Sequence, residues 1–165
     1  MLAPRQNESG MQHDPGLAFE RRELGELVGL WHAKRCGRAM PARADFTPFD
    51  LKALLGHIIL VDVEPDPLRF RYRLVGTAIT GIVKRDVTGR YFEDIYTGRL
   101  LETAAAVNAW VVRERAPLRI FSVTGHARND VYAYDGVLLP LSADGERVNM
   151  VLGALLFSLV RAAAA

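Results

Sequence analysis

The sequence is poor in the groups that most often carry chemistry or covalent structure. It has one cysteine, Cys36, which excludes an internal disulfide and any cysteine-based metal cluster within one chain. Its four histidines, His13, His32, His57 and His126, are scattered rather than clustered, so no metal or haem ligation is expected. There is no glycine-rich phosphate loop, zinc motif or nucleophile elbow, and the expectation is a protein that is not an enzyme. The longest apolar run, Met150 to Val160, is about half the ~20 residues of a membrane span. The N-terminal MLAPRQNESGMQHDPG lacks the apolar core of a signal peptide. A cytoplasmic protein with no membrane partner is therefore expected. Charge of one sign is scarce too: 21 Lys and Arg against 19 Asp and Glu leave a net +2, too little to make nucleic acid the expected partner.

What is present is apolar patterning, with half of 165 residues hydrophobic, enough for one sizeable core. Residues 1–16 mix Pro, Gly, Asn and charges without periodicity and are expected to be a disordered tail. Residues 17–44 form a helix and linker. From Leu17 to Cys36, Leu24, Leu27, Val28, Leu30 and Trp31 make a stripe broader than one contact surface needs. That breadth leaves two arrangements open: a helix packed on its own sheet, or one that also meets its copy in a homodimer through Leu24, Leu27, Val28 and Trp31. Gly25 and Gly29 would permit close approach of another backbone.

The main domain follows over residues 45–161. Thr47, Pro48 and Asp50 predict a helix from Pro48 that stops at Gly56. His57–Val63 has the continuous apolar character of a strand buried on both sides, and a Pro-rich turn joins it to an antiparallel strand, Arg69–Val75. Alternation there puts Phe70, Tyr72 and Leu74 on one face and Arg69, Arg71 and Arg73 on the other. Gly76 turns the chain into a short helix, Thr77–Val83, and a longer one spans Arg99–Arg113. Leu118–Thr124, Val131–Leu141 with a bulge at Gly136, and Val148–Val160 read as strands. The order predicts an α+β fold, a five-stranded antiparallel sheet with helices on one face and an N-terminal flanking helix.

These residues carry a family resemblance. A Trp-bearing N-terminal helix leads into Pro41-Ala42-Arg43-Ala44-Asp45, followed by Phe46-Thr47-Pro48 and the corner Arg71-Tyr72-Arg73-Leu74-Val75-Gly76-Thr77. Asp86-Val87-Thr88-Gly89-Arg90 and Leu139-Pro140-Leu141-Ser142 with Asp144-Gly145 complete the pattern over roughly residues 24–160. The combination resembles the stand-alone bacterial PAS-domain family; Lys84 stands where a small residue is expected before Arg85-Asp86. The resemblance implies a PAS-like domain over 45–161, a sensory or interaction module without catalysis or attached output domain. It also implies dimerisation through the flanking helix. Arg43, Asp45, Arg73, Gly76, Gly89 and Pro140 are its structural positions.

Two constellations follow. Arg73 is expected to pair with Asp45 and fix the linker across the sheet. A ligand pocket is expected from Tyr72, Leu74, Ile79, Ile82, Val83, Trp110, Phe121, Tyr132 and Tyr134, all of which would also serve as ordinary core residues. Cys36 sits in the N-terminal helix, away from that pocket, which disfavours a flavin–cysteine adduct. The residues name no cofactor. The function expected is sensing of a small molecule or binding of a signalling partner, with a ligand-free adaptor as the alternative.

Overall fold

The computed structural model describes residues 11–125 and 131–161. In chain order its elements are strand β1 (Gln12–Asp14), helix α1 (Arg22–Lys34), strands β2 (Ile58–Glu64) and β3 (Arg69–Val75), helices α2 (Thr77–Val83) and α3 (Gly98–Glu114), and strands β4 (Leu118–Gly125), β5 (Val131–Leu141) and β6 (Met150–Arg161). The strands form one antiparallel sheet in the order β1-β4-β5-β6-β2-β3. The expected α+β architecture holds, with six strands rather than five. The extra one comes from the segment expected to be a disordered tail: Gln12, His13 and Asp14 pair with Phe121, Ile120 and Arg119. Asp14 then ends the strand, its carboxylate accepting the Gly16 and Ala18 amides at 2.7 and 2.9 Å. Residues 1–10 of that segment lie outside the described residues, as does the turn expected after Gly125.

Strand β2 explains the sheet's two-sided burial. Its run IILVDV is apolar or β-branched at every position but one, and all six residues are buried. Alternation sends Ile59, Val61 and Val63 to one face and Ile58, Leu60 and Asp62 to the other. Helices α2 and α3 cover the first face. Helix α1 covers the second, where the odd-numbered β5 residues Val137, Leu139 and Leu141 are fully buried. The Trp31 indole N–H donates to the Pro140 carbonyl at 2.8 Å, and the Glu20 amide donates to the Asp135 carboxylate at 3.0 Å. The helix is therefore fastened to the sheet of its own chain.

That placement corrects the expected dimer surface. Leu24, Leu27, Val28 and Trp31 are 0%, 3%, 8% and 1% exposed within a single chain, so they offer nothing to a second copy. Leu30, on the same helix, is only partly buried. No part of the same chain crowds Gly25 or Gly29: a Cβ at either would meet nothing within 4 Å. Cys36 lies two residues beyond α1 and is exposed.

Three further expectations change for local reasons. Residues 48–55 make turns and a short 3-10 segment, Leu55–His57, instead of a helix. Asp50 accepts the Thr47 amide at 2.7 Å and the Thr47 hydroxyl at 2.8 Å, and the Asp50 amide donates back at 3.2 Å, a closed turn that competes with helix. Gly136 is not a bulge; it pairs regularly with Ile120 and Leu155, and a Cβ there would meet Leu155 Cδ2 at 2.6 Å and the Ala154 carbonyl at 2.7 Å. The third change concerns β3. Leu60 pairs with Leu74 but Val61 pairs with Tyr72, leaving Arg73 as an inserted residue. A bulge of one residue inverts the alternation beyond it. Leu74 is consequently turned outward, 42% exposed, and Val75 takes the inward place.

Arg73 does not pair with Asp45. Its Nε donates to Asp62 Oδ1 at 2.7 Å while Arg71 Nη2 donates to Asp62 Oδ2 at 3.0 Å, so the Asp62 carboxylate of β2 is gripped by two arginines of the adjacent strand. Arg73 thus finds its acid on the adjoining strand, where cross-strand side chains meet directly. Asp45 instead accepts the Ala42 amide and Arg38 Nη2, each at 2.7 Å, and closes the linker upon itself. Arg43 in that linker donates from Nη1 to the Phe46 carbonyl at 2.9 Å.

Candidate functional site

Between the sheet and the helices α2 and α3 lies a cavity of about 390 Å³. Its floor is the sheet face carrying Ile59, Tyr72, Val75, Ile120, Tyr134, Leu138, Leu155 and Phe157, one or two side chains from each of β2 to β6. Helix α2 contributes Ile79 and Val83, helix α3 contributes Leu100, Ala104, Val107 and Asn108, and the connection between them contributes Arg85, Val87, Phe92, Ile95 and Tyr96. Met11, beside β1, reaches it from the N-terminal end.

Glycines shape the entrance. Gly76 begins α2 at the point where β3 ends, and a Cβ there would lie against the Gly56 carbonyl group, so only glycine lets α2 start so close to the segment before β2. Lys84 ends α2 in the left-handed conformation, at φ 55°. The loop it opens returns to the edge of β3, where the Tyr72 amide donates to the Arg90 carbonyl at 3.0 Å and the Gly89 amide to the Tyr72 carbonyl at 2.6 Å. Gly89 makes that return with φ 83°. Asp86 stiffens the loop by accepting both the amide and the hydroxyl of Thr88, at 2.9 and 2.7 Å.

Polar groups in the cavity are few. The hydroxyls of Tyr72 and Tyr96 lie 2.8 Å apart. Burial pushes the Tyr72 hydroxyl well above its ordinary pKa, with the neighbouring Tyr96 and Tyr134 adding to the effect. Burial also raises Tyr96, partly offset by the Tyr72 hydrogen bond and the charge of Arg85. Tyr134 is raised by burial, partly offset by a hydrogen bond with Ser122. All three stay neutral at ordinary pH and act as hydroxyl donors and acceptors rather than anions. Asn108 sits mid-helix, 5% exposed, and its Nδ2 donates to the Ala104 carbonyl at 2.9 Å. Its Oδ1 is the buried side-chain oxygen left without a hydrogen-bond partner among the described residues.

Of the nine side chains the sequence nominated for a pocket, Tyr72, Ile79, Val83 and Tyr134 line this cavity. Leu74 is turned away by the bulge. Phe121 points to the opposite sheet face, where the Arg119 guanidinium stacks on its ring at 4.5 Å. Trp110 borders a separate open cleft shared with His13, Arg99 and Leu118. Ile82 and Tyr132 do not line the cavity. Sequence reasoning missed Tyr96, Arg85 and Asn108. A signal existed for the last: an amide inside the apolar stripe of α3, one turn beyond Ala104, has no reason to be there unless something binds it.

The histidines do not converge. His57 Nδ1 lies 3.2 Å from the Leu155 carbonyl, His32 packs edge-on to Trp31, and His126 lies outside the described residues. No group of three or more His, Cys, Asp or Glu side chains placed to hold a metal occurs among the described residues. Nor, among them, is any helix long and apolar enough to cross a membrane.

Among solved structures the chain is similar to an RNA-binding light-oxygen-voltage receptor, with 14% identity over 71% of this chain and 35% of that one and a TM-score of 0.47. It is also similar to the Rhodobacter sphaeroides LOV protein, with 17% identity over 66% of this chain and 62% of that one and a TM-score of 0.46. The chain thus spans about a third of the first protein and under two thirds of the second. No curated protein matches the sequence. The family model described as a PAS domain matches residues 20–156, most of the chain, and on that match this protein belongs to the PAS-domain family.

Proposed function

We propose that this PAS domain is a sensory or signalling module that holds a small molecule in the cavity under α2 and α3 and reports its presence to a partner protein through β3. The observation that carries this reading is Asn108. A buried carbonyl oxygen without a partner costs about 1–3 kcal/mol, and the residue that bears it lines a cavity large enough for a ligand able to donate to it. No catalytic step is proposed.

Strand β3 supports the second half of the proposal because it serves both sides of the sheet. Tyr72 lines the cavity, while Arg71 and Arg73 on either side of it hold Asp62 on the opposite face. The entrance loop is bonded to the backbone of Tyr72 itself. A ligand that prefers one arrangement of Tyr72 and that loop biases the flanking arginines with it, by population shift between two states.

The test is mass spectrometry of denatured, freshly purified protein combined with a thermal-shift screen of neutral and charged metabolites on the parent and on Asn108→Leu. A specific compound that raises the melting temperature of the parent, and raises it less in the variant, is expected. A parent that releases no small molecule and is shifted by no compound refutes the reading. A ligand-free adaptor is the second reading. It draws on the exposed apolar side chains Leu68 and Leu74 at either end of the edge strand β3. It predicts partner affinity that Leu74→Lys reduces and Asn108→Leu leaves unchanged.

A further inference from the structure

Among the described residues, Arg85 is the only charged side chain that lines the cavity. It is exposed, and it enters no ion pair and no hydrogen bond among the described residues. The adjacent carboxylate, Asp86, is committed to Thr88. Glu93 of the same connection pairs with Arg69, and Glu64 of β2 accepts the Tyr91 hydroxyl. No acidic side chain among the described residues lines the cavity. The segment that bears Arg85 is short and held at both ends, by α2 on one side and by the bonds of Gly89 and Arg90 to Tyr72 on the other.

The chemistry beside Arg85 suits an anion. Arg85 lines the same cavity as Tyr72 and Tyr96. Two hydroxyls 2.8 Å apart share one hydrogen bond, so one of the two retains a proton to donate elsewhere. An unpaired guanidinium at the rim of a cavity with apolar walls attracts an anion more strongly than it would in open water, because those walls focus its field. Asn108 Oδ1, on α3, makes the opposite demand: it accepts and therefore needs a donor.

Resting on the reading of the cavity as a ligand site, we infer that its ligand is an apolar or aromatic organic acid. The acid group lies on Arg85 and the Tyr72–Tyr96 hydroxyl pair, and an N–H or O–H of the same molecule donates to Asn108 Oδ1. A neutral ligand would leave Arg85 unused, and an acid with no donor would leave the amide oxygen unsatisfied.

The experiment compares matched acids and amides by isothermal titration calorimetry on the parent, Arg85→Gln and Asn108→Leu. The probes are indoleacetate with indoleacetamide, hydroxyphenylacetate with hydroxyphenylacetamide, and a hydroxydecanoate with its amide. At least one acid should bind the parent about tenfold or more tightly than its amide, as a charge-assisted hydrogen bond requires. Arg85→Gln should bring that ratio to about one by weakening the acid and sparing the amide. Equal affinities in the parent, a ratio unchanged in Arg85→Gln, or no binding by any of the six probes at millimolar concentration overturns the inference. A neutral hit from the thermal-shift screen that depends on Asn108 would then show that the cavity is a ligand site of another class. The absence of any such hit would remove the ligand reading along with the acid.

Discussion

Replacing Asn108 by leucine should stabilise the ligand-free protein. The amide is buried in the middle of α3, at 5% exposure. It satisfies its nitrogen against the Ala104 carbonyl but leaves Oδ1 without a partner. Removing an unsatisfied buried acceptor returns about 1–3 kcal/mol, and the lost Nδ2 hydrogen bond takes back about 0.5–1.5 kcal/mol. The Ala104 carbonyl can still accept the helical backbone bond one turn on, so it is not stranded. Leucine is close to asparagine in volume, prefers helix, and would face Val107, Leu138 and their neighbours across an apolar cavity. The net expectation is a gain of about 0.5–2 kcal/mol, or a rise of about 2–6 °C in Tm for a domain of this size. Urea melts at 25 °C on protein stripped of ligand by denaturation and refolding measure it, with the slope m unchanged between parent and variant. A loss of about 1 kcal/mol or more would mean that the Asn108 oxygen is satisfied in the folded protein, and the argument for a ligand donor at that position would fail.

Gly76→Ala should cost about 3 kcal/mol, since the new Cβ would press on the Gly56 carbonyl and lie 3.0 Å from the His57 amide nitrogen, both backbone atoms with no rotamer to yield; a change of less than about 0.5 kcal/mol in urea would show that the corner is soft. Arg119 and Asp135 form a buried ion pair at 2.7 Å on the face under the N-terminal segment. Arg119→Met should cost about 3–5 kcal/mol by stranding Asp135, while the double variant with Asp135→Leu should recover most of the loss, a pattern that denaturation of the full mutant cycle would reveal. In acid, Asp50 is held down to about 2 by the Thr47 amide first and then Lys34 and the Thr47 hydroxyl. Asp144 is likewise held at about 2, by the Arg147 and Glu146 amides and the Ser142 hydroxyl. Both folded-state values lie below the unfolded ones, so their contributions are whole above about pH 4 and disappear as the pH falls toward about 2. Asp144→Asn should lower stability at neutral pH and flatten the acid limb of the pH–Tm curve, and an acid limb that keeps its slope would refute the assignment.

The sheet was legible because burial writes itself into composition. The unbroken apolar run of β2 announced a strand covered on both sides, Gly76 marked the corner, and Val131–Leu141 was readable from end to end. Which face a residue occupies was less legible beyond Tyr72. One inserted residue inverted Leu74 and Val75, and no pattern in RFRYRLVG distinguishes seven alternating residues from six and a bulge. The ionic partner of Arg73 was not legible either: the linker, with Asp45, was expected to reach the arginine face of the sheet, whereas the neighbouring strand supplies Asp62. The pair Arg119–Asp135 went unseen because its members are 16 residues apart on adjoining strands and neither looks unusual alone. The helix α1 stripe was read correctly as buried, but breadth cannot say whether the covering surface belongs to the same chain. Four cavity residues were found as aromatic or aliphatic core candidates. Of the groups that would choose a ligand, Asn108 stands out as one amide in the apolar stripe of an alanine-rich helix, whereas Arg85 is a loop arginine to which only the cavity gives meaning.

The bulge at Arg73 also bears on how such a cavity can evolve. Side-chain substitutions change its volume in steps of a methyl group or a ring. Deleting Arg73 would do something different in kind: the ladder would run without interruption through Tyr72, Leu74 and Val75, each keeping its present partner, so Tyr72 and Val75 would still face the cavity beside Ile59. The same deletion would take one of the two cations from Asp62 on the far side of the sheet. The bulge is thus a place where the length of the chain can change the ionic balance on one surface of the sheet while the cavity wall on the other keeps its facing.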